Sequence, residues 1–449
     1  MTYFFESYGC QMNVSESNGV EALLKERGWQ SVKTPEAATL VLINTCSVRI
    51  TAEQRVFGRL GFYSGLKKKN GIKILVMGCM AERLKHEFAQ KFPFVDFVVG
   101  ISDRPKLESI FAALEAAQGA PYLRKSPQEA ETIQSSNEKY LFARTSYREG
   151  NFQSFVPIMN GCNNFCSYCI VPYVRGREVS RSVSDILNEV SFLSEKGVKE
   201  ITLLGQNVNS YHGNVDGHDI DFPDLLRLVC NSCKDGNSIE WVRFVSSHPK
   251  DMSEKLIAVM ASEPRVCKAV HLPVQHGSNR ILKEMNRKYT VEHYKELLAA
   301  LRKKIPEIAI TTDILIGFPG ETEDDLEATL ALMRELAFNA AFMYHYNPRE
   351  GTKAYELPNR IPEAVKIDRL RRVIDLQQQI TEKKMCKKLG TTTTALLESQ
   401  SKNNDAELFG HTEAGEMLVV KNLPVRMIGQ FIRVKLDAIN GRTFIGTMI

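Results

Sequence analysis

Apolar and polar positions alternate along the N-terminal part of the chain in two rhythms. Short apolar runs stand at Tyr3 to Tyr8, Leu40 to Ile43, Lys73 to Met77 and Phe97 to Val99. Between them lie stretches of helical periodicity: Val14 to Arg27, stopped by Gly28, then Thr51 to Lys69 and Ala81 to Lys91. Strand and helix in turn predict a parallel sheet covered by helices on both faces. From Gln118 to about Gly150 the chain turns polar and aperiodic, which predicts a linker. Beyond it six β-like runs recur, at Phe155 to Met159, Glu200 to Leu204, Trp241 to Val245, Ala269 to Leu272, Ala309 to Ile316 and Ala340 to Tyr346, each followed by a helical stretch. Fewer than the eight of a closed barrel, these units predict an open partial (βα)6 barrel with its site at the carboxyl ends of the strands. A basic helix from about Pro362 to Lys388 leads out of it. After Gly390 five short β-rich runs follow, at Thr392 to Leu397, Ala406 to Gly410, Met417 to Val420, Gln430 to Leu436 and Arg442 to Ile449. They predict a small OB-like β-barrel, a shape often used on oligonucleotides. The chain thus divides into an α/β domain over 1–117, a linker over 118–150, a partial barrel over 151–380 and a small β-barrel over 381–449.

Composition narrows the class. A chain of 449 residues is long enough for two or three domains with their own cores, and a net charge of +5 is too small to diagnose nucleic-acid binding, so any basic surface is local. The C-terminal segment from Thr381 is only slightly basic, with ten Lys or Arg against seven Asp or Glu. No apolar run is long enough to cross a bilayer, and Met1 to Cys10 lacks the basic-then-apolar layout of a signal peptide. A cytoplasmic protein with no membrane partner is expected. There, ten cysteines would ordinarily be scattered core thiols. Their positions argue otherwise.

Cys10, Cys46 and Cys79 each fall one to three residues after a predicted strand and just before the next helix, in Tyr8-Gly9-Cys10, Asn44-Thr45-Cys46 and Gly78-Cys79. In open α/β sheets ligands gather outside the carboxyl ends of the strands, so three thiols from distant segments converge there. Thiolates suit an iron-sulfur cluster, and nearby helix N-termini favour its negative charge. Three buried core cysteines are the plain alternative. Directly after the first strand of the partial barrel comes Cys162-x3-Cys166-x2-Cys169. Three close cysteines ligate three irons of a 4Fe-4S cluster and leave the fourth open. Zinc is the rival, but a structural zinc takes four ligands and no suitably spaced fourth Cys or His follows. Cys230 and Cys233, although spaced C-x-x-C, lie on or beside a helix away from the catalytic face and read as packing residues, as do Cys267 and Cys386.

The three-cysteine loop resembles the signature of the radical S-adenosylmethionine (SAM) superfamily. That resemblance implies that SAM chelates the open iron and is cleaved to a 5'-deoxyadenosyl radical. Gly205-Gln206-Asn207 match the superfamily's contact with the SAM amino group, with Gln275 and Asp313 as further candidates for the same pocket. In its order of modules the chain resembles the methylthiotransferases: a cluster domain, a radical SAM barrel and a C-terminal TRAM domain. Gly9-Cys10-Gln11-Met12-Asn13, Asn44-Thr45-Cys46-Ser47-Val48-Arg49 and Gly78-Cys79-Met80-Ala81-Glu82-Arg83 look like the MiaB type. Val171 to Arg181 and Gly317-Phe318-Pro319-Gly320-Glu321-Thr322 support the match.

The resemblance implies Cys162, Cys166 and Cys169 on the SAM-cleaving 4Fe-4S cluster and Cys10, Cys46 and Cys79 on an auxiliary one. It implies transfer of a methylthio group to C2 of an isopentenyl-adenosine beside the tRNA anticodon, with two SAM molecules per turnover. An electron donor such as flavodoxin or ferredoxin and a sulfur source are implied as partners. The same chemistry on threonylcarbamoyladenosine or a ribosomal protein, and a nonenzymatic RNA-binding protein stabilised by metal, remain as alternatives. Arg175, Arg177 and Arg181, beside the cluster loop, fit phosphate or SAM carboxylate binding as well as surface salt bridges and take no assignment. Only nine residues precede Cys10, so a trimmed native start is expected.

Overall fold

A computed structural model describes residues 1–47, 50–117, 142–143, 145–233, 238–401, 404 and 406–449. Most of the expected linker, 118–141 and 144, lies outside the described residues, as do Val48 and Arg49. The chain forms two compact units. The first comprises Met1–Phe165, Cys169–Glu189 and Leu204–Gln206, and the second Cys166–Tyr168, Val190–Leu203 and Asn207–Ile449.

In the first unit the elements run β1 (Thr2–Tyr8), α1 (Gln11–Glu26), β2 (Gln30–Ser31), β3 (Leu40–Thr45), α2 (Ile50–Asn70), β4 (Lys73–Gly78), α3 (Cys79–Arg83), α4 (Lys85–Lys91), β5 (Phe97–Val99) and α5 (Lys106–Ala116). The strands form one parallel sheet in the order β2-β1-β3-β4-β5. Every residue of β3 is buried, as a strand covered on both faces requires. Val41, Ile43, Ile74 and Val76 pack with Val56, Leu60 and Tyr63 of α2 on one face. Leu40, Leu42, Leu75 and Met77 pack on the other with Val20 and Leu24 of α1 and Leu107 and Phe111 of α5. The helix expected over Ala81 to Lys91 is instead two, with a turn at Leu84, and the first starts at Cys79 directly after the strand. Gly78 permits that immediate turn, since its φ of 97° and ψ of −164° suit only glycine. The unit continues with β6 (Gln153–Pro157), β7 (Met159–Asn160), α6 (Val171–Arg175) and β8 (Val179–Ser180), β7 pairing antiparallel with β8. The run expected over Phe155 to Met159 is therefore two strands. Helix α7 (Val183–Glu195) passes into the second unit.

There follow β9 (Glu200–Leu204), the hairpin of β10 (His212–Val215) and β11 (His218–Asp221), α8 (Phe222–Ser232), β12 (Trp241–Phe244), α9 (Glu254–Ser262), β13 (Ala269–His271), α10 (Asn279–Glu284), α11 (Val291–Lys304), β14 (Ala309–Ile316), α12 (Glu323–Leu336), β15 (Ala340–His345) and α13 (Glu363–Cys386). β9 and β12 run parallel, a parallel bridge from Val242 to Val266 carries the pairing toward β13, and β13, β14 and β15 are parallel. The helices start at side-chain caps where the chain offers them: Asp221, Ser253, Thr290 and Thr322 each accept a backbone N–H of the first turn.

The last strands, β16 (Thr392–Gln400), β17 (Glu407–Thr412), β18 (Met417–Lys421), β19 (Phe431–Asn440) and β20 (Thr443–Met448), close a barrel in the order β16-β17-β18-β20-β19. Closure removes exposed strand edges, and bulges at Leu397/Ser399 and Leu436/Ala438 supply curvature. Its core is Leu397, Leu408, Leu418, Val420, Val434, Leu436 and Phe444, with Met385 of α13. This barrel is fastened to β9 and β12. Trp241 packs on Phe431 at 4.7 Å, and Arg243 donates to the backbone oxygens of Glu413 (2.7 Å) and Thr412 (3.1 Å) and to Glu200 (3.0 Å). His411 bonds Glu200 at 2.8 Å and also Glu398. Burial pulls the His411 imidazole down, but those two carboxylates outweigh it and hold it up at about 9. Among the described residues no helix is long and apolar enough to cross a membrane.

Candidate active site

The first site lies at the carboxyl edge of the N-terminal sheet. Tyr8, Thr45 and Gly78 stand side by side in register at the ends of β1, β3 and β4, so the cysteines that follow them are neighbours. Cys10 and Cys46 lie close enough to Cys79 for their charges to act on it. A Cβ at Gly9 would fall 2.7 Å from Cys46 Cβ, which measures how tightly the first two loops approach. Asn13 and Asn44 clamp them together. The Asn13 side chain accepts from Cys10 N (3.3 Å) and donates to Asn44 Oδ1 and Thr45 O (both 3.1 Å), while Asn44 Nδ2 donates to Asn13 O (2.9 Å). Cys10 is the N-cap of α1 and Cys79 the first residue of α3, so two of the thiols sit at helix starts. Burial pushes the Cys79 thiol up to about 12, opposed by the nearby Arg175 and reinforced by Glu16, Cys46 and Cys10. Loading a metal there must displace its proton. Among the described residues no three His, Cys, Asp or Glu side chains stand as the ligand shell of a single metal ion. As a donor set, three soft thiols at neighbouring strand ends suit an iron-sulfur cluster.

The second group is the loop from Gly161 to Cys169. Its start is tied down by Cys162 N, which donates to Gly176 O (3.2 Å), and by Asn163, whose N donates to Glu178 (3.1 Å). Arg177 lies over the Phe165 ring at 4.3 Å. Within the second unit Cys166 is buried, and its sulfur accepts a hydrogen bond from Arg287 Nη1 at 3.2 Å. Ser167 is held from both sides, its N donating to Met285 O (3.0 Å) and its O accepting from Ala354 N (2.8 Å).

Of the residues expected at SAM, Gly205 and Gln206 follow β9, and Gln206 Oε1 accepts from Gly161 N at 2.6 Å. Asn207 is buried and donates to Asp251 at 2.7 Å, while its Oδ1 has no partner among the described residues. The same holds for Asn209 Oδ1 and Ser247 Oγ, beyond β9 and β12. Three buried polar atoms without a protein partner thus lie beyond β9 and β12, where such groups ordinarily find one. Gln275 and Asp313 are brought together, Gln275 N donating to Asp313 O at 2.9 Å, and Asp313 lies 3.4 Å from His271 Nε2.

Of the three arginines beside the loop, left unassigned from the sequence, Arg177 is exposed and two are buried. Arg175 and Arg181 are buried rather than superficial: Arg175 pairs with Glu16 (2.9 Å) and donates to Asn160 (2.9 Å), and Arg181 pairs with Glu189. Glu16 also receives Arg104 at 3.3 Å. Helix α1 turns Asn13, Glu16, Ser17 and Val20 inward, so an i, i+3, i+4 polar stripe where apolar residues belong was the available signal. Cys230, Cys233 and Cys267 are buried, and burial pushes the first two thiols up to about 12 and about 11. Cys386, expected to pack, is exposed at the end of α13. Arg287 and the buried His276–Glu321–Arg369 chain (3.3 and 2.9 Å) were missed, since nothing in their local sequence marks them as buried.

Three segments of the chain match described families: 2–100 the uncharacterized protein family UPF0004, 156–333 the radical SAM superfamily, and 387–449 the TRAM domain. The fold is shared with the radical S-adenosylmethionine methyltransferase TsrM from Kitasatospora setae, solved with cobalamin and a [4Fe-4S] cluster bound, at a TM-score of 0.58 and 14% identity over 79% of this chain and 74% of that one. A three-cysteine sheet, a radical SAM core and a TRAM barrel together define the class. Over its full length the chain is similar to the tRNA-2-methylthio-N(6)-dimethylallyladenosine synthases of Treponema denticola (57% identical, 99% of both chains) and Phocaeicola vulgatus (44%, 99% of this chain and 95% of that one). It belongs to that family.

Proposed function

We propose that the protein transfers a methylthio group to C2 of N6-isopentenyladenosine next to the anticodon of tRNA. The observation that carries the reading is the meeting of Cys10, Cys46 and Cys79 at neighbouring strand ends, in a chain that also has the Cys162-x3-Cys166-x2-Cys169 loop. Cys162, Cys166 and Cys169 hold the SAM-cleaving 4Fe-4S cluster in this reading, and Cys10, Cys46 and Cys79 the auxiliary one. When bound, the clusters and two SAM molecules supply the radical that removes the C2 hydrogen and the sulfur and methyl that replace it. The chain binds and orients. Three thiolates per cluster leave one iron for a non-protein ligand. Gly205, Gln206, Asn207, Gln275 and Asp313 are read as the SAM contacts, and the unpartnered Asn207 Oδ1 supports a donor such as the SAM amino group at that residue.

The base must be unstacked before a radical reaches its edge, which a loop allows and a duplex does not. Around Lys384 the chain gathers positive charge for the RNA backbone. Burial, then Arg302, Lys388 and Lys387, push that ammonium down to about 8, and a phosphate would relieve the repulsion. A low-potential donor such as flavodoxin or ferredoxin and a sulfur source complete the reaction, in the cytoplasm.

The test is anaerobic reconstitution with reductant, SAM and an anticodon stem-loop carrying isopentenyladenosine, followed by mass spectrometry of the nucleosides. The methylthio adduct is expected, and is lost with Cys10→Ala or Cys162→Ala. If 5'-deoxyadenosine forms and the nucleoside is unchanged, the substrate is wrong. With both clusters loaded and neither product, the catalytic reading fails.

A further inference from the structure

Arg287 follows α10 and is 8% exposed. Its hydrogen bonds are to Cys166 Sγ (Nη1, 3.2 Å), Pro273 O (Nη2, 3.1 Å) and Tyr289 Oη (Nε, 2.9 Å). Among the described residues no Asp or Glu pairs with it, unlike Arg175, Arg181, Arg243 and Arg369, each of which meets a carboxylate. A buried guanidinium without an anion is strongly disfavoured, and an arginine cannot escape by losing its proton. An anion is therefore needed where Nη1 points, and the atom there is the sulfur of a cluster cysteine. The nearby His248 offers no charge, since burial and the Arg287 cation push it down to about 2 and keep it neutral.

We propose that Arg287 is the counter-charge of the SAM-cleaving cluster, donating a hydrogen bond to the Cys166 sulfur and easing the cluster's one-electron reduction. The proposal rests on the reading of Cys166 as a ligand of that cluster. Hydrogen bonds to sulfur and net charge are two of the levers that set a cluster's potential. Accepting an electron from a low-potential donor adds negative charge in a poorly hydrated site, and a fixed cation within hydrogen-bonding distance lowers that cost. The guanidinium is held in place: Tyr289 Oη, which receives Nε, is itself anchored on Val274 O (2.8 Å), and the Tyr289 ring lies 5.1 Å from the guanidinium carbon. Arg287 thus acts through Cys166 as a positioning residue.

The test is a redox titration of the reconstituted holoenzyme, followed by the electron paramagnetic resonance signal that changes on adding SAM, with iron and sulfide content measured alongside. Arg287→Gln is expected to make reduction about tenfold less favourable, a potential about 59 mV lower, with iron content kept. Arg287→Lys, which retains the charge, is expected to recover most of the loss, and Tyr289→Phe to shift the potential in the same direction by less. An unchanged potential in Arg287→Gln overturns the proposal, as does an unchanged potential with weakened SAM binding, which would assign the charge to the SAM carboxylate. If Arg287→Gln does not fold, Tyr289→Phe decides, and no shift there counts against the proposal. Cys166→Ala separates the two levels. Loss of the SAM-responsive signal upholds the ligand reading whatever Arg287 does, and its survival removes that reading and the proposal together.

Discussion

Adding a single methyl group at Gly78 tests how the three-cysteine edge of the N-terminal sheet is built. Gly78 has φ 97° and ψ −164°, a region that is essentially glycine's alone and costs any other residue about 1 to 3 kcal/mol. A Cβ there would also fall 2.5 Å from the carbonyl oxygen of Thr45, its register partner on β3, and onto Asn44 Oδ1. Neither neighbour is free to retreat, because Thr45 Oγ1 donates to Met77 O (2.6 Å) and Asn44 is tied to Asn13. Overpacking adds about 1 to 3 kcal/mol. The sum, about 2 to 6 kcal/mol, is a large share of the roughly 5 to 15 kcal/mol that stabilises a domain. The strain falls directly between Cys46 and Cys79. Gly71→Ala is the control, since its φ of 68° is also left-handed but a Cβ there meets nothing within 4 Å. It costs only about 1 to 2 kcal/mol. Urea unfolding of the metal-free protein can be followed through Trp29, which sits in the core of the N-terminal sheet, with Trp241 replaced by Phe. Iron per chain after reconstitution gives the second readout. We expect Gly78→Ala to lose more stability than Gly71→Ala and to retain only the iron of one cluster. Equal losses in the two variants, with full iron in Gly78→Ala, would refute the close-approach argument.

Three further outcomes are expected. His411 is held at about 9, above its ordinary 6.5, so its contribution to the docking of the C-terminal barrel is full below about pH 6.5 and lost as pH rises through about 9. That contribution is at most about 3 kcal/mol. Melting followed by Trp241 fluorescence should fall between pH 7 and 10, and His411→Gln should flatten the dependence. Arg175→Met should destabilise the N-terminal unit by about 3 kcal/mol because it strips a buried partner from Glu16, with Arg104 limiting the damage, as urea unfolding can measure. Lys384→Gln should weaken stem-loop binding regardless of sequence and reduce the slope of log affinity against log salt by about 1, read by fluorescence anisotropy.

Much of the architecture was legible because each element carries its own period. The two-sided apolar runs of β3 and β4 have no stable placement except between layers of helix, and the polar interruptions after them mark where the chain turns. The three N-terminal cysteines could be read from chain order alone, since a parallel sheet repeats one kind of strand-to-helix corner and all such corners face the same way. The spacing in Cys162-x3-Cys166-x2-Cys169 is likewise a local property. What no local pattern specifies is which charges are buried and with whom. Arg175, Arg181 and Arg287 look alike in the sequence, but the fold gives the first two carboxylate partners from helices α1 and α7 and leaves the third facing the sulfur of Cys166. Helix breaks such as Leu84 and the exposure of Cys386 were also decided late, by the packing around them. Periodicity and spacing are written residue by residue, whereas desolvation of a charge depends on atoms that meet only after distant segments have packed, and that is why the sequence determined the framework and the cysteine sets while tertiary structure alone decided the electrostatics around them.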